Sequence, residues 1–255
     1  MIGVIVPAHN EERELEQCLA AIRVAAGDEA LGGEAVHVIV VLDSCSDGSR
    51  AIVGRHARAD ISHANHANHA DGGCVVGAIA VDVRNVGAAR AAGAACLLAL
   101  GARWLAFTDA DTRVSPAWLS AQLGLDADVV CGTIAVDDWS PHRDDAEPLR
   151  RHFHRAYTDA DGHRHIHGAN LGVSAAAYLR AGGFEALACG EDVALVAALE
   201  RCGARFAWSS APRVVTSARR DPKASGGFGD TLLRYAASAR AILPSDSPVL
   251  AGLVE

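Results

Sequence analysis

Two aspartates one residue apart, Asp109 and Asp111, directly follow the apolar run Trp104-Leu105-Ala106-Phe107-Thr108. On an extended segment leaving a strand, residues i and i+2 can approach one cation together. Hard ions such as Mg²⁺ or Mn²⁺ take carboxylate oxygens and keep open positions for phosphate oxygens. An isolated Asp-x-Asp is more often a solvated turn or cap. Here it stands between an apolar run and Ser115-Pro116, a helix start with Ser as N-cap and Pro at the first helical position, which shifts the balance toward chemistry. Three earlier apolar runs also end in polar groups: Pro7-Ala8-His9-Asn10-Glu11, Asp43-Ser44-Cys45-Ser46-Asp47-Gly48, and Arg84-Asn85-Val86-Gly87 with Arg90. One such end is an ordinary turn; four in succession point to a composite ligand site. Glu191-Asp192 opens a further predicted helix, where the dipole favours anions and a structural cap is the competing reading.

The elements that must position these residues alternate in type. The pattern predicts strands at Ile2–Val6, Val36–Leu42, Ala78–Val83, Trp104–Thr108 and Val129–Val136. Helices are expected at Glu11–Ala26, from about Ser49, and at Val86–Leu100. Strands separated by helices imply right-handed crossovers and a largely parallel sheet, whose ligands bind at the carboxyl ends of the strands. The fold class is therefore α/β. The second half is less regular: helices at Glu147–Tyr157, Ser174–Arg180, Asp192–Cys202 and Asp230–Leu243, an extended His165–Val173, and strands at Arg205–Ser209 and Arg213–Thr216. His63, His66 and His69 recur by threes in Ser62–Asp71, where a solvated loop outweighs a metal site.

Bulk properties remove several function classes. Half of the 255 residues are hydrophobic, enough for a core without disulfides or structural metals. The seven cysteines are odd in number and lack a Cys-x-x-Cys pair, so reduced thiols and a cytoplasmic location are expected. No run reaches the length of a membrane span, and Met1 leads straight into a strand-like segment, with no room for a secretory leader. A formal charge of −8 argues against nucleic acid as a partner. Lys223 is the sole lysine, which removes P-loop and most Schiff-base chemistry and leaves phosphate to arginine.

Taken in order, several motifs resemble glycosyltransferase family 2, with its GT-A fold. They are Val4-Ile5-Val6-Pro7-Ala8-His9-Asn10-Glu11-Glu12, Asp43-Ser44-Cys45-Ser46-Asp47-Gly48-Ser49 and Asn85-Val86-Gly87-Ala88-Ala89-Arg90. Phe107-Thr108-Asp109-Ala110-Asp111, Gly168-Ala169-Asn170, Gly182-Gly183-Phe184 and Gly190-Glu191-Asp192 complete the set, over roughly residues 3–217. The resemblance implies an inverting transfer of sugar from a nucleoside-diphosphate sugar to an acceptor hydroxyl, assisted by Mn²⁺ or Mg²⁺. Pro7, Ala8, His9 and Glu11 would line the nucleotide pocket, Asp43 would accept a bond from the base, and Arg90 would lie near base or diphosphate. Asp109 would contact ribose or metal, with Ala110 between it and the metal ligand Asp111. Asp192 would be the general base, and Glu191 would position acceptor or sugar. Residues 1–136 would then form the donor half, 137–217 the acceptor half, and 218–255 a loop and C-terminal helix.

On the acceptor side, Trp139, His152, His154, His165 and His167 fall where such enzymes hold acceptor or sugar. His167, beside Gly168-Ala169-Asn170, is the strongest of them. Arg219 and Arg220 precede Ser225-Gly226-Gly227-Phe228-Gly229 and are candidates to clamp the diphosphate, with a solvated linker as the equal alternative. With Lys223 they could touch an anionic membrane only weakly. Many relatives carry a late histidine as a further metal ligand; here none follows His167, and Thr216-Ser217 stand in that region. Rival readings are a catalytically silent nucleotide-binding or scaffold protein and, lower, a sugar nucleotidyltransferase, whose Gly-rich basic loop is missing. A dinucleotide oxidoreductase is disfavoured, since no GxGxxG follows the first strand.

Overall fold

The structure is a computed structural model describing residues 1–64, 73–221, 223 and 227–242. Strands β1 (Ile2–Ala8), β2 (Val36–Asp43), β3 (Cys74–Val81) and β4 (Trp104–Phe107) pair in parallel, and helices α1 (Leu15–Ala26), α2 (Ser49–Ala64) and α3 (Val86–Ala99) connect them. The chain continues through β5 (Thr112–Val114), α4 (Trp118–Gly124), β6 (Val129–Ala135), α5 (Ala146–Ala156), β7 (Leu171–Ser174), α6 (Ala175–Ala181), α7 (Glu191–Arg201), β8 (Phe206–Thr216) and α8 (Phe228–Ile242). All strands join one sheet in the order β3-β2-β1-β4-β7-β6-β8-β5.

Continuous apolar runs become strands here because both faces of the sheet are covered. Ile2, Val4 and Val6 pack with α1, α2, α4, α5 and α8 on one face; Ile5 packs with α3, α6 and α7 on the other.

The pairing directions bring distant segments to one edge. Because β4 and β7 are antiparallel, with Phe107 opposite Leu171, the segment before β7 arrives at the carboxyl end of β4. β6 is antiparallel to β7 and parallel to β8, so β8 also ends at that edge. β5 begins there, Thr112 lying opposite Thr216. Loops from both halves of the chain therefore converge on one rim.

Several boundaries differ from the sequence pattern. Helix α1 begins at Leu15, because residues from Glu11 first make a turn. β3 is Cys74–Val81 rather than Ala78–Val83, and only Leu171–Ser174 of the expected extended His165–Val173 is a strand. The two late strands are one, β8, with a register irregularity opposite Gly132–Ile134 that accommodates Pro212 in the strand. Pro116 does not open a helix: α4 starts at Trp118 after a turn closed by the Trp118 N–H on the Ser115 carbonyl. α2 runs to Ala64, so Ser62 and His63 are helical, contrary to the expected loop; His66 and His69 lie outside the described residues. So do Ser225 and Gly226 of the expected lid, and Phe228 already opens α8. None of the seven cysteines is in a disulfide. Among the described residues no helix is long and apolar enough to cross a membrane.

Candidate active site

The rim is built from strand ends that leave regular structure abruptly. Asn10, Ser44 and Arg84, following β1, β2 and β3, all adopt left-handed backbone with φ of 54°, 50° and 46°. Non-glycine residues tolerate this only where neighbours hold them, and here the loops after β1 and β2 interlock. Ser49 Oγ accepts the Glu11 N–H at 2.9 Å, and Asp47 accepts that of Glu12 at 2.9 Å. Asn10 Oδ1 accepts the Ser46 N–H at 2.8 Å, and Glu12 that of Gly48 at 2.8 Å. Asp43 Oδ1 takes the Val83 and Arg84 N–H groups at 2.9 Å, and Oδ2 takes that of Asn85 at 3.0 Å. Burial opposes its charge, but these N–H groups outweigh it and hold the carboxyl below its ordinary range. Asn85 caps α3 through Ala88 N–H.

Two arginines tie the carboxylates together. Arg90, on α3 and buried, donates to Asp109 at 2.6 Å and to Glu191 at the start of α7. Its guanidinium lies 5.6 Å from the Phe184 ring centre and so close to Gly168 that a Cβ there would overlap it. Gly87 is equally constrained, by the Glu185 carbonyl and the Glu191 side chain. Arg219, after β8, donates to both oxygens of Glu11 and to Asp111. Burial pushes the Asp111 carboxyl up to about 6; Arg219 pulls it down, while Asp109 and Glu11 add to the rise. Asp192, in the first turn of α7, accepts the Gly168 N–H at 2.8 Å on one oxygen and the Val193 N–H at 2.8 Å on the other.

These groups line a cleft of about 1350 Å³. Six carboxylates and four cationic side chains line it, so the cleft carries a surplus of negative charge. Asp111 and Asp109 are hard oxygen donors in such a field, the chemistry that suits Mg²⁺ or Mn²⁺. Among the described residues no group of three or more His, Cys, Asp or Glu forms a closed metal cage. Asp109 and Asp111 are paired with Arg90 and Arg219 instead.

Residues 3–180 match the sequence model of glycosyl transferase family 2. The chain belongs to that family. No curated protein sequence matches it. Among solved structures it is similar to S. aureus TarS 1-349 in complex with UDP-GlcNAc, at 15% identity over 93% of this chain and 65% of that one, TM-score 0.58. It is also similar to the mannosyltransferase PcManGT from Pyrobaculum calidifontis in complex with GDP-Man and Mn²⁺, at 21% identity over 94% and 74%, TM-score 0.58. GalNAc-T7 with UDP, GalNAc and Mn²⁺ is a third, at 14% identity over 93% and 47%, TM-score 0.56. These likenesses show the GT-A fold. The chain spans 65% of the length of the TarS 1-349 chain.

In this family 2 chain, Pro7, Ala8, His9, Glu11, Asp43, Arg90, Asp109, Ala110, Asp111, His167, Glu191, Asp192 and Arg219 all line the cleft. Trp139 and Arg220, expected at the acceptor or diphosphate, are not in its lining. Trp139 is buried against Phe153, with ring centres 5.6 Å apart, and Arg220 is exposed. His9 donates through Nδ1 to the Asp43 carbonyl at 2.7 Å. His167 accepts the Tyr157 hydroxyl proton at 3.0 Å, and burial followed by His165 and His163 pushes it down to about 3. Asn170 of Gly168-Ala169-Asn170 faces inward. Its oxygen takes Trp118 Nε1 at 2.9 Å, and its amide reaches the Thr133 and Pro212 carbonyls at 2.7 and 2.6 Å, tying β6, β8 and α4 together. Sequence reasoning missed an aromatic wall of Phe153, Tyr157, Phe228 and Tyr235. Phe153 and Tyr157 carried a signal, being four residues apart at the C-terminal end of α5, where Tyr157 is the cap; Phe228 and Tyr235 come from α8, which meets α5 only in the fold.

Proposed function

We propose that the chain transfers a sugar, with inversion, from a nucleoside-diphosphate sugar to a hydroxyl acceptor. The observation that carries this reading is Arg90. One buried guanidinium joins Asp109, at the end of β4, to Glu191, beside Asp192, and so fixes the donor carboxylates relative to the base. Each Asp192 oxygen accepts one backbone N–H and keeps capacity for an acceptor hydroxyl. Asp192 takes that proton as the oxygen attacks the anomeric carbon, and the bond to the diphosphate breaks on the opposite face. Glu191, neutralised by Arg90, positions the reacting groups rather than moving a proton. A divalent cation at Asp111 and Asp109 would supply positive charge to the leaving diphosphate. Pro7, His9 and Glu11 on one loop and Asp43 on the next would hold the nucleoside. Family 2 membership supports the reaction class, and the UDP, GDP and Mn²⁺ ligands of the structural neighbours support the donor class and the cation.

The test is release of nucleoside diphosphate from UDP-, GDP-, dTDP- and CDP-sugars with Mn²⁺ and acceptor mixtures. One donor is expected to turn over, and D192N to lower the rate by roughly 10²–10⁴-fold while nucleotide affinity stays unchanged. Near-normal turnover by D192N sinks the base assignment. Release from none of the donors favours a nucleotide-binding protein without turnover.

A further inference from the structure

Arg219 directs its guanidinium at carboxylates. Nη1 and Nη2 reach the two oxygens of Glu11 at 2.9 Å each, Nε reaches Asp111 Oδ2 at 2.9 Å, and Nη2 shares that oxygen. Four of its five N–H donors are used this way. Glu11 and Asp111 follow different strands, and the segment after β8 brings the cation between them. Both are largely buried, with side-chain exposures of 7% and 13%. Buried carboxylates need a counter-charge. One guanidinium between two of them leaves the pair a charge short, which a divalent ion would match. A guanidinium held this way has little left to offer a diphosphate.

The geometry points to Arg219 as an exchangeable internal cation. In the donor-free protein it occupies the Glu11–Asp111 pair, divalent-cation binding displaces it, and the displaced guanidinium becomes free to take a phosphate oxygen of the donor. The exchange at the carboxylates stands on the ion pairs alone; its link to the donor rests on the transfer reading above. It follows that cation and diphosphate bind with positive coupling, since the first to bind releases the group the second needs.

The probe is Mn²⁺ alone, titrated calorimetrically into the donor-free full chain. R219Q is expected to bind Mn²⁺ at least about tenfold tighter than wild type, because two buried carboxylates lose their counter-charge. R219Q/D111N should lose that gain, which locates the ion, and R219K, with charge but no fork, should fall between. With Mn²⁺ saturating, inorganic pyrophosphate should bind R219Q about tenfold more weakly than wild type, as one charge-assisted contact is lost. Equal or weaker Mn²⁺ binding by R219Q, or a gain that survives D111N, overturns the proposal. If R219Q does not fold, Mn²⁺ affinity of R219K above wild type supports the exchange, and equal or lower affinity overturns it. Nucleoside diphosphate release by wild type tests transfer separately, so the two failures are distinguishable.

Discussion

Burial sets the protonation of His167, and with it a pH dependence of stability. The unfolded chain takes up this proton near the ordinary value of 6.5, while in the fold the ring stays neutral down to about 3. Stability from the neutral ring is fully present above 6.5 and is lost as pH falls, at about 1.4 kcal/mol per unit. The Tyr157 hydroxyl donates to it and in turn accepts the Ile134 N–H, so neutral imidazole is the form this site is built around. H167Q keeps an acceptor but has no titration. The stability lost between pH 7 and 5.5, measured by urea unfolding, is expected to be about 1 kcal/mol smaller in H167Q than in wild type. Identical losses in the two proteins would remove His167 as the source. Asp111 and Asp192 are held in different ways. Both are aspartates after a turn, yet one sits in an ion pair with Arg219 and the other accepts backbone N–H groups at a helix start.

At the scale of elements, the motif residues do two kinds of work. Asn10, Asp47 and Ser49 secure the loops after β1 and β2 through backbone bonds, Asp43 secures the loop after β3, and Asn85 secures α3. Asn170 binds three elements from a fully buried position. N170A would strand the Trp118 indole N–H and two carbonyls. The expected cost is about 3–5 kcal/mol in urea unfolding, while the cleft residues themselves are untouched. A loss below 1 kcal/mol would mean that water or neighbours replace those bonds. The strands were legible in sequence because buried β segments read as short apolar runs between turn residues. Boundaries such as Cys74 and Leu15 were not, since β2 pairing extends β3 and turn geometry delays α1.

For the whole molecule, one sheet carries strands from both halves of the chain, so a ligand at the rim would touch both. Binding to the folded state alone stabilises it by mass action. At a hundred times its Kd, the matching nucleoside diphosphate with Mn²⁺ should add about 2.7 kcal/mol, raising Tm by roughly 5–10 °C. A thermal-shift comparison of UDP, GDP, dTDP and CDP with and without Mn²⁺ measures this. One base should stand apart, and its shift should shrink without metal. Equal small shifts for all four would count against a nucleotide-specific rim.

By itself the sequence determined the α/β alternation, the family, the polar strand end that carries Asp109 and Asp111, and the helix start at Glu191-Asp192. Those features are local, written in periodicity and short motifs. The tertiary structure alone decided that Arg90 links Asp109 to Glu191, that Arg219 rather than Arg220 reaches Glu11 and Asp111, and that Trp139 belongs to the core. These are pairings between residues far apart in the chain. They depend on β4 and β7 running antiparallel and on β8 ending at the rim, which no local pattern encodes.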